Sequence, residues 1–64
     1  MTLSERLLAA VAAEPGRQAL SVQADVRRDA MASRAAVSRE TALLVAHGDL
    51  VLDGDHRLWP RDDA

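Results

Sequence analysis

The apolar positions of this chain recur at helical spacing over most of its length and alternate near the end. Four apolar residues near the start form a stripe at helical spacing: Leu3, Leu7, Leu8 and Val11. This spacing predicts a helix over residues 3–14. Thr2 and Glu5 match a capping box, in which each side chain satisfies the other residue's backbone amide. Glu14-Pro15-Gly16 should end the helix.

Two further helices are predicted in the middle of the chain. The first covers residues 22–29, with Ser21 as its N-cap and three apolar residues on one side: Val22, Val26 and Ala30. The second covers residues 34–47, because Ser33 is a favourable N-cap and Gly48 supplies a left-handed C-terminal stop. Only a few residues around Met31 separate the two helices, so they should cross steeply, as in a helix-turn-helix.

After Gly48 the apolar pattern alternates, which predicts a β-hairpin over residues 49–59 with Asp-Gly at its turn. A three-residue loop, 53–55, places Leu50, Leu52 and Leu58 on one face. A two-residue loop instead groups Leu58 with Val51. We favour the longer loop because it gathers three leucines against the helices. Residues 17–20 are a candidate edge strand for this hairpin, Pro60 should stop the return strand, and residues 61–64 should fray.

The order helix, short strand, two helices and hairpin resembles that of the winged helix-turn-helix superfamily. The segment 33–39 is similar to the start of the recognition helix in bacterial regulators, and Leu44, Gly48 and Leu50 resemble the exit into the wing. Met31 stands where the turn usually has glycine, and Arg27 where a small residue usually packs. The resemblance implies one domain over residues 1–64, mainly α with a small β-hairpin.

The resemblance also implies binding to double-stranded DNA, as the module of a transcriptional regulator. The third helix would enter the major groove, where Arg34 and Arg39 would each reach a guanine and Ala35 a thymine methyl group. Ser38 would reach a base edge or a phosphate, close to the N-cap Ser33. Three more arginines would hold phosphates: Arg27, Arg28 and Arg57. The alternative is that these arginines are solvated and pair with nearby acids: Asp25, Asp29 and Glu40.

The net charge of −2 is unfavourable for a DNA-binding protein, because phosphate neutralisation supplies much of the affinity. Its distribution is uneven. Residues 1–48 carry six arginines against five acids, a charge of +1, and residues 49–64 carry two arginines against five aspartates, a charge of −3. The second hypothesis is therefore a winged helix that contacts protein without binding DNA, through the acidic wing tip at Asp53 and Asp55 or the face formed by Val51 and Trp59.

Four apolar residues have no obvious place in so small a core: Leu8, Val45, Val51 and Trp59. Exposed apolar residues gathered in one patch usually mark an interface. We therefore expect a homodimer, or docking onto a larger protein partner, through a surface that includes Trp59. A dimer would also present two third helices to two half-sites.

Other classes of function find little support. The chain has no cysteine, which excludes disulfides and cysteine-based zinc sites, and His47 and His56 fit no metal-ligand motif, so we expect no metal and no cofactor. No serine and histidine are spaced with a third orienting group for nucleophilic catalysis, so we do not expect an enzyme. No apolar run approaches a membrane span, and we expect a cytoplasmic location. Every Lys or Arg position is occupied by arginine, and alanine is abundant. This composition favours a bacterial source.

Overall fold

Three helices and a small antiparallel sheet make up the part of the chain that the computed structural model describes, residues 1–63. The elements are α1 (Leu3–Ala13), β1 (Arg17–Gln18), α2 (Ala19–Ala30), α3 (Arg34–Ala46), β2 (Leu50–Leu52), β3 (Arg57–Pro60) and a 3-10 turn (Arg61–Asp63). The expected mainly helical class with a small β component is confirmed. Within the described range, no helix has the length and apolar character needed to cross a membrane.

The capping box at the start of α1 is formed as predicted. The Glu5 amide donates to Thr2 Oγ1 at 3.2 Å, and the Thr2 amide donates to Glu5 Oε1 at 2.9 Å. Two amides that have no partner within the helix are thereby satisfied. Leu7 and Val11 lie one turn apart on the buried side of the helix.

The second helix begins at Ala19, three residues earlier than predicted, and its N-cap residue is Gln18. Ser21 therefore lies inside the helix and does not cap it, and residue 20 belongs to the helix and not to the edge strand. The reason is a long-range contact: the Ala19 amide donates to the carbonyl oxygen of His56 at 2.8 Å. The hairpin supplies the acceptor that a local cap would otherwise provide.

A left-handed residue separates α2 from α3. Met31 has φ 52° and ψ 40°, and the Ala32 amide donates to Arg27 O at 3.0 Å across it. This is the geometry that glycine normally supplies at the end of a helix. Ser33 then caps α3 as predicted, since its Oγ accepts from the Ala36 amide at 3.1 Å.

The C-terminal end of α3 also follows the prediction. Gly48 has φ 80°, a left-handed conformation that glycine adopts without steric cost. The Asp49 amide donates back to Leu44 O at 2.9 Å and closes the last turn. The chain then enters β2 directly, so the end of α3 sets where the hairpin starts.

The sheet order is β1-β3-β2, with β3 in the middle, and Leu52 pairs with Leu58. The predicted pairing of a short edge strand with the hairpin is confirmed for β1, whose Arg17 lies opposite Leu58. Pro60 pairs with Leu50 and is the last residue of β3, so the prediction that it stops the strand was wrong by one residue. Residues 61–63 form a 3-10 turn where fraying was expected, and residue 64 lies outside the described part.

The loop of the hairpin has the predicted length but is shifted by one residue. The Asp53 amide donates to Arg57 O at 3.1 Å, which leaves residues 54–56 as the loop instead of 53–55. His56 has φ 61°, the left-handed position that such loops require after a tight turn. The shift does not change which residues share a face, because it preserves the alternation. Leu50 and Leu58 are buried as expected, but the expectation that Leu52 packs with them against the helices was wrong, because its side chain is 42% exposed.

The core lies between the helices and one face of the sheet. Its buried apolar residues are Leu7, Val11, Val22, Val26, Val37, Leu44, Leu50 and Leu58. Leu3, Leu8 and Val45 are partly buried against this core. The expectation that Leu8 and Val45 have no inward place was therefore wrong, because both cover the edges of the core.

Candidate nucleic-acid interface

The outward face of α3 is formed by small residues around one arginine. Val37, Thr41 and Leu44 are buried on the inner side of the helix. At 3.6 residues per turn the opposite side carries Ala35, Arg39, Ala42 and Ala46, and all four are exposed. Arg39 is thus the one side chain of this group with hydrogen-bond donors, and alanines flank it in both directions along the helix.

A groove of about 270 Å³ runs between α2 and α3, lined by Leu20, Gln23, Arg27, Arg34 and Ser38. The three residues from α2 are spaced three and four apart, and the two from α3 four apart, so each set lies on one helix face. Arg34 and Ser38 therefore lie on the flank of α3 that borders α2, and Arg39 lies on the outward face.

The segment of residues 17–41 contains five arginines, which divide into two groups. Arg17 and Arg28 both contact Asp25, with N–O distances of 2.7 and 3.2 Å, and Arg28 also lies 3.7 Å from Asp29. The hydrogen bond from Arg17 lowers the pKa of Asp25 below its ordinary value. For these two arginines, the alternative of pairing with nearby acids describes the structure. The remaining arginines of the segment are Arg27, Arg34 and Arg39, and no ion pair among the side chains of residues 1–62 engages them.

Two predicted phosphate-binding residues are separate from α3 or already engaged. Arg57 lies on β3 and donates from Nη1 to the carbonyl oxygen of Gly16 at 2.8 Å, in the turn after α1. Arg28 is exposed but shares Asp25 with Arg17. Ser33 uses its Oγ to cap α3. The structure therefore brings together Arg27, Arg34 and Ser38 in the groove, with Ala35 and Arg39 on the adjoining outward face.

The loop of the hairpin is organised by a carboxylate. Asp53 accepts hydrogen bonds from the Asp55 amide at 2.9 Å, the Arg57 amide at 3.0 Å and Trp59 Nε1 at 2.8 Å. These bonds favour the ionised form, and the bond from Trp59 contributes most to lowering the pKa of Asp53. The negative charge of Asp53 therefore stabilises the hairpin itself.

Trp59 is half-buried, contrary to the expectation of an exposed docking residue. Its indole N–H is bound to Asp53, and its ring lies over Gly16, where a Cβ atom would approach ring atom Cη2 to 2.7 Å. Gly16 has φ 82°, and its amide donates to Leu58 O at 2.8 Å. The turn after α1 thus covers one side of the indole, and only glycine permits this approach.

A second, more apolar groove of about 390 Å³ lies beside the first. Its lining residues are Ala19, Gln23, Ser38, Thr41, Ala42, Val45, Ala46 and Leu52. Gln23 and Ser38 line both grooves, so the two form one continuous surface along α3. Leu52, one of these lining residues, is 42% exposed.

Neither Leu20 nor Gln23 was among the site residues predicted from the sequence. Residue 20 was placed in a strand because the start of α2 was set too late. Once the helix begins at Ala19, the spacing of Leu20, Gln23 and Arg27 identifies one helix face. That spacing was the available signal. Recognising it required the correct start of α2, which depends on a contact with His56 that local sequence does not reveal.

The described residues contain no cluster of three or more His, Cys, Asp or Glu residues arranged to hold a metal ion. Comparison of the chain with protein-family models, with curated proteins and with solved structures found no match.

Proposed function

We propose that this chain is a winged helix DNA-binding module of the transcriptional regulator type, with α3 in the major groove. One observation carries the proposal: Arg27, Arg34 and Arg39 are gathered on or beside α3, and none has an acidic partner among the side chains of residues 1–62. Free guanidinium groups in one region attract phosphate and can donate in pairs to guanine. Elsewhere in the chain, Arg17 is bound to an acid and Arg57 to a backbone carbonyl oxygen.

The outward face of α3 fits the width of a major groove because it is mostly alanine. Arg39 would donate two hydrogen bonds to O6 and N7 of one guanine. Ala35 would contact a thymine methyl group, since a small apolar side chain permits close approach. Ser33 and Ser38 lie near the N-terminus of the same helix, where the positive end of the helix dipole favours phosphate.

The proposal is tested by fluorescence anisotropy with a labelled random-sequence duplex over a range of salt concentrations. We expect binding at low salt that weakens steeply as salt rises, because phosphate contacts release counterions. Arg39→Ala should reduce affinity and Arg6→Ala should not. Arg6 is a matched control: it carries the same charge on α1, and it lines a different cavity that also contains Glu14, Asp25 and Asp29. If both variants lost the same affinity, the loss would reflect net charge alone, and this result would contradict the proposal.

The alternative function is protein contact without DNA binding, and the apolar groove that Leu52 helps to line favours it. The charge of −3 over residues 49–64 points the same way. A homodimer, or docking onto a larger partner, belongs to this alternative. The half-buried position of Trp59 makes Leu52 the better anchor for such an interface, although a surface including Trp59 stays a prediction. Sedimentation of wild type and Leu52→Ser across a dilution series tests the homodimer: a wild-type mass that stays at one chain at high concentration would exclude it.

A further inference from the structure

The groove between α2 and α3 has the composition of an anion site. Arg27 enters it from α2 and Arg34 from α3, while Gln23 and Ser38 add an amide and a hydroxyl that can donate hydrogen bonds. None of the described residues that line the groove is acidic. Two positive charges facing one small space repel each other unless an anion lies between them.

We infer that this groove holds one phosphate of the DNA backbone, and that Arg34 positions the duplex while Arg39 reads a base. The inference rests on the proposed function and changes the expected role of Arg34, which the sequence resemblance assigned to a guanine. Arg34 lies on the flank of α3 that borders α2, in a shared groove with Arg27, and not on the outward face with Ala35 and Arg39. A guanidinium that binds a phosphate fixes register but carries no sequence information.

The apolar wall of the groove favours a phosphate attached to a sugar over a free ion. Leu20 lines the groove and is 80% exposed. An inorganic phosphate gains nothing from this side chain, whereas the carbon atoms of a deoxyribose next to a bound phosphate would cover it and remove apolar surface from water. The first turn of α3 contributes as well, because Arg34 is its first residue and the helix dipole there is positive.

The experiment compares wild type with Arg27→Ala, Arg34→Ala, the double variant, Arg39→Ala and the control Arg6→Ala. Each protein is first used to select bound sequences from a pool of random duplexes. Affinities for the selected duplex and for a shuffled duplex are then measured over a range of salt. Circular dichroism and the Trp59 emission maximum confirm that each variant is folded.

We expect Arg34→Ala to select the wild-type motif and to weaken binding to the selected and shuffled duplexes by the same factor. The ratio of wild-type to variant affinity should fall about threefold between roughly 50 and 200 mM salt, as expected for one lost phosphate contact. The losses from Arg27→Ala and Arg34→Ala should not multiply in the double variant, because both side chains bind one group. Arg39→Ala should lose preference at one base pair instead.

Loss of preference at a base pair in Arg34→Ala would overturn the inference and leave the proposed function standing. Independent, multiplying losses for Arg27→Ala and Arg34→Ala would overturn the shared phosphate. A wild-type chain without duplex affinity at low salt would refute the proposed function and this inference together. If that chain bound inorganic phosphate saturably at constant ionic strength, with the Gln23 and Ser38 amides shifting in NMR spectra, the groove would be a site for a free anion.

Discussion

The indole nitrogen of Trp59 lies 2.8 Å from Oδ2 of Asp53, a contact that ties the return strand of the hairpin to the start of its loop. The other carboxylate oxygen of Asp53 accepts from the backbone amides of Asp55 and Arg57. An ionised acceptor with three donors makes stronger bonds than a neutral one. Asp53 therefore stabilises the hairpin loop from within.

Replacing Asp53 by alanine should destabilise the protein and move the Trp59 emission to longer wavelength, because three donors lose their acceptor and the indole is released toward water. Asp55→Ala is the matched control, since it removes the same charge from the same loop and the Asp55 side chain accepts none of these bonds. Both variants are compared by urea unfolding followed at Trp59. Equal unfolding midpoints for the two would show that only charge at the tip matters.

Leu58 and Leu52 lie directly opposite each other in the sheet but differ in exposure, at 0% and 42%. Leu58→Ala should lower the free energy of unfolding by about 2 to 4 kcal/mol, the usual loss for a buried leucine. Leu52→Ala should lower it by less than about 1 kcal/mol. Urea unfolding of the two variants checks the hairpin register. Similar losses would mean that the shared face is not packed against the helices as described.

Met31→Gly should stabilise the protein by up to about 1 kcal/mol, since a left-handed residue with a Cβ atom carries a steric penalty of roughly that size. Met31 has φ 52° and is 93% exposed, so little packing is lost when its side chain is removed. Met31→Ala is the control, because it removes the side chain and keeps the Cβ. In thermal unfolding, the melting temperature of the glycine variant should be higher than those of the alanine variant and wild type.

Local sequence signals located those parts of the fold that depend on local contacts. Ser33 and Gly48 marked the ends of α3 because a cap and a left-handed stop act on their immediate neighbours. The start of α2 was missed because its first amide is satisfied by His56, far along the chain. The hairpin loop was displaced by one residue because the side chain of Asp53 organises the turn.

The candidate site was predicted only in part, because some of its contacts are local in sequence and others are not. The concentration of arginines around α3 is visible in the sequence, and so is the pairing of Arg28 with Asp25 three residues earlier on one helix. The pairing of Arg17 with Asp25 joins β1 to α2 and has no local signal. Which arginines remain free therefore depended on tertiary structure.

Acid should destabilise the protein through its carboxylates. Hydrogen bonds lower the pKa of Asp25, Asp53 and Glu5 in the folded state, through Arg17, Trp59 and Thr2 respectively. A depressed folded pKa gives stability that is fully present above the unfolded value, about 3.9 for Asp and 4.3 for Glu, and is lost as the pH falls through the folded value. The free energy of unfolding should stay level from about pH 7 to 5 and decrease below about pH 4.

A variant that carries Asp25→Asn and Asp53→Asn tests whether these two carboxylates cause the loss of stability at low pH. Its unfolding free energy should be lower than that of wild type at neutral pH and should depend less on pH below about 4, because two of the groups that bind protons on unfolding are gone. Urea unfolding at several pH values measures both curves. Parallel curves would show that other groups control acid unfolding.

Whether α3 is the surface that contacts DNA can be measured by NMR mapping of backbone amides during titration with a random duplex at low salt. We expect shifts concentrated at residues 33–39 and at Gln23 and Arg27, with the amides of α1 unchanged and the shifts reversed by added salt. The absence of shifts at low salt would contradict this expectation, and so would shifts confined to Val45, Leu52 and the hairpin.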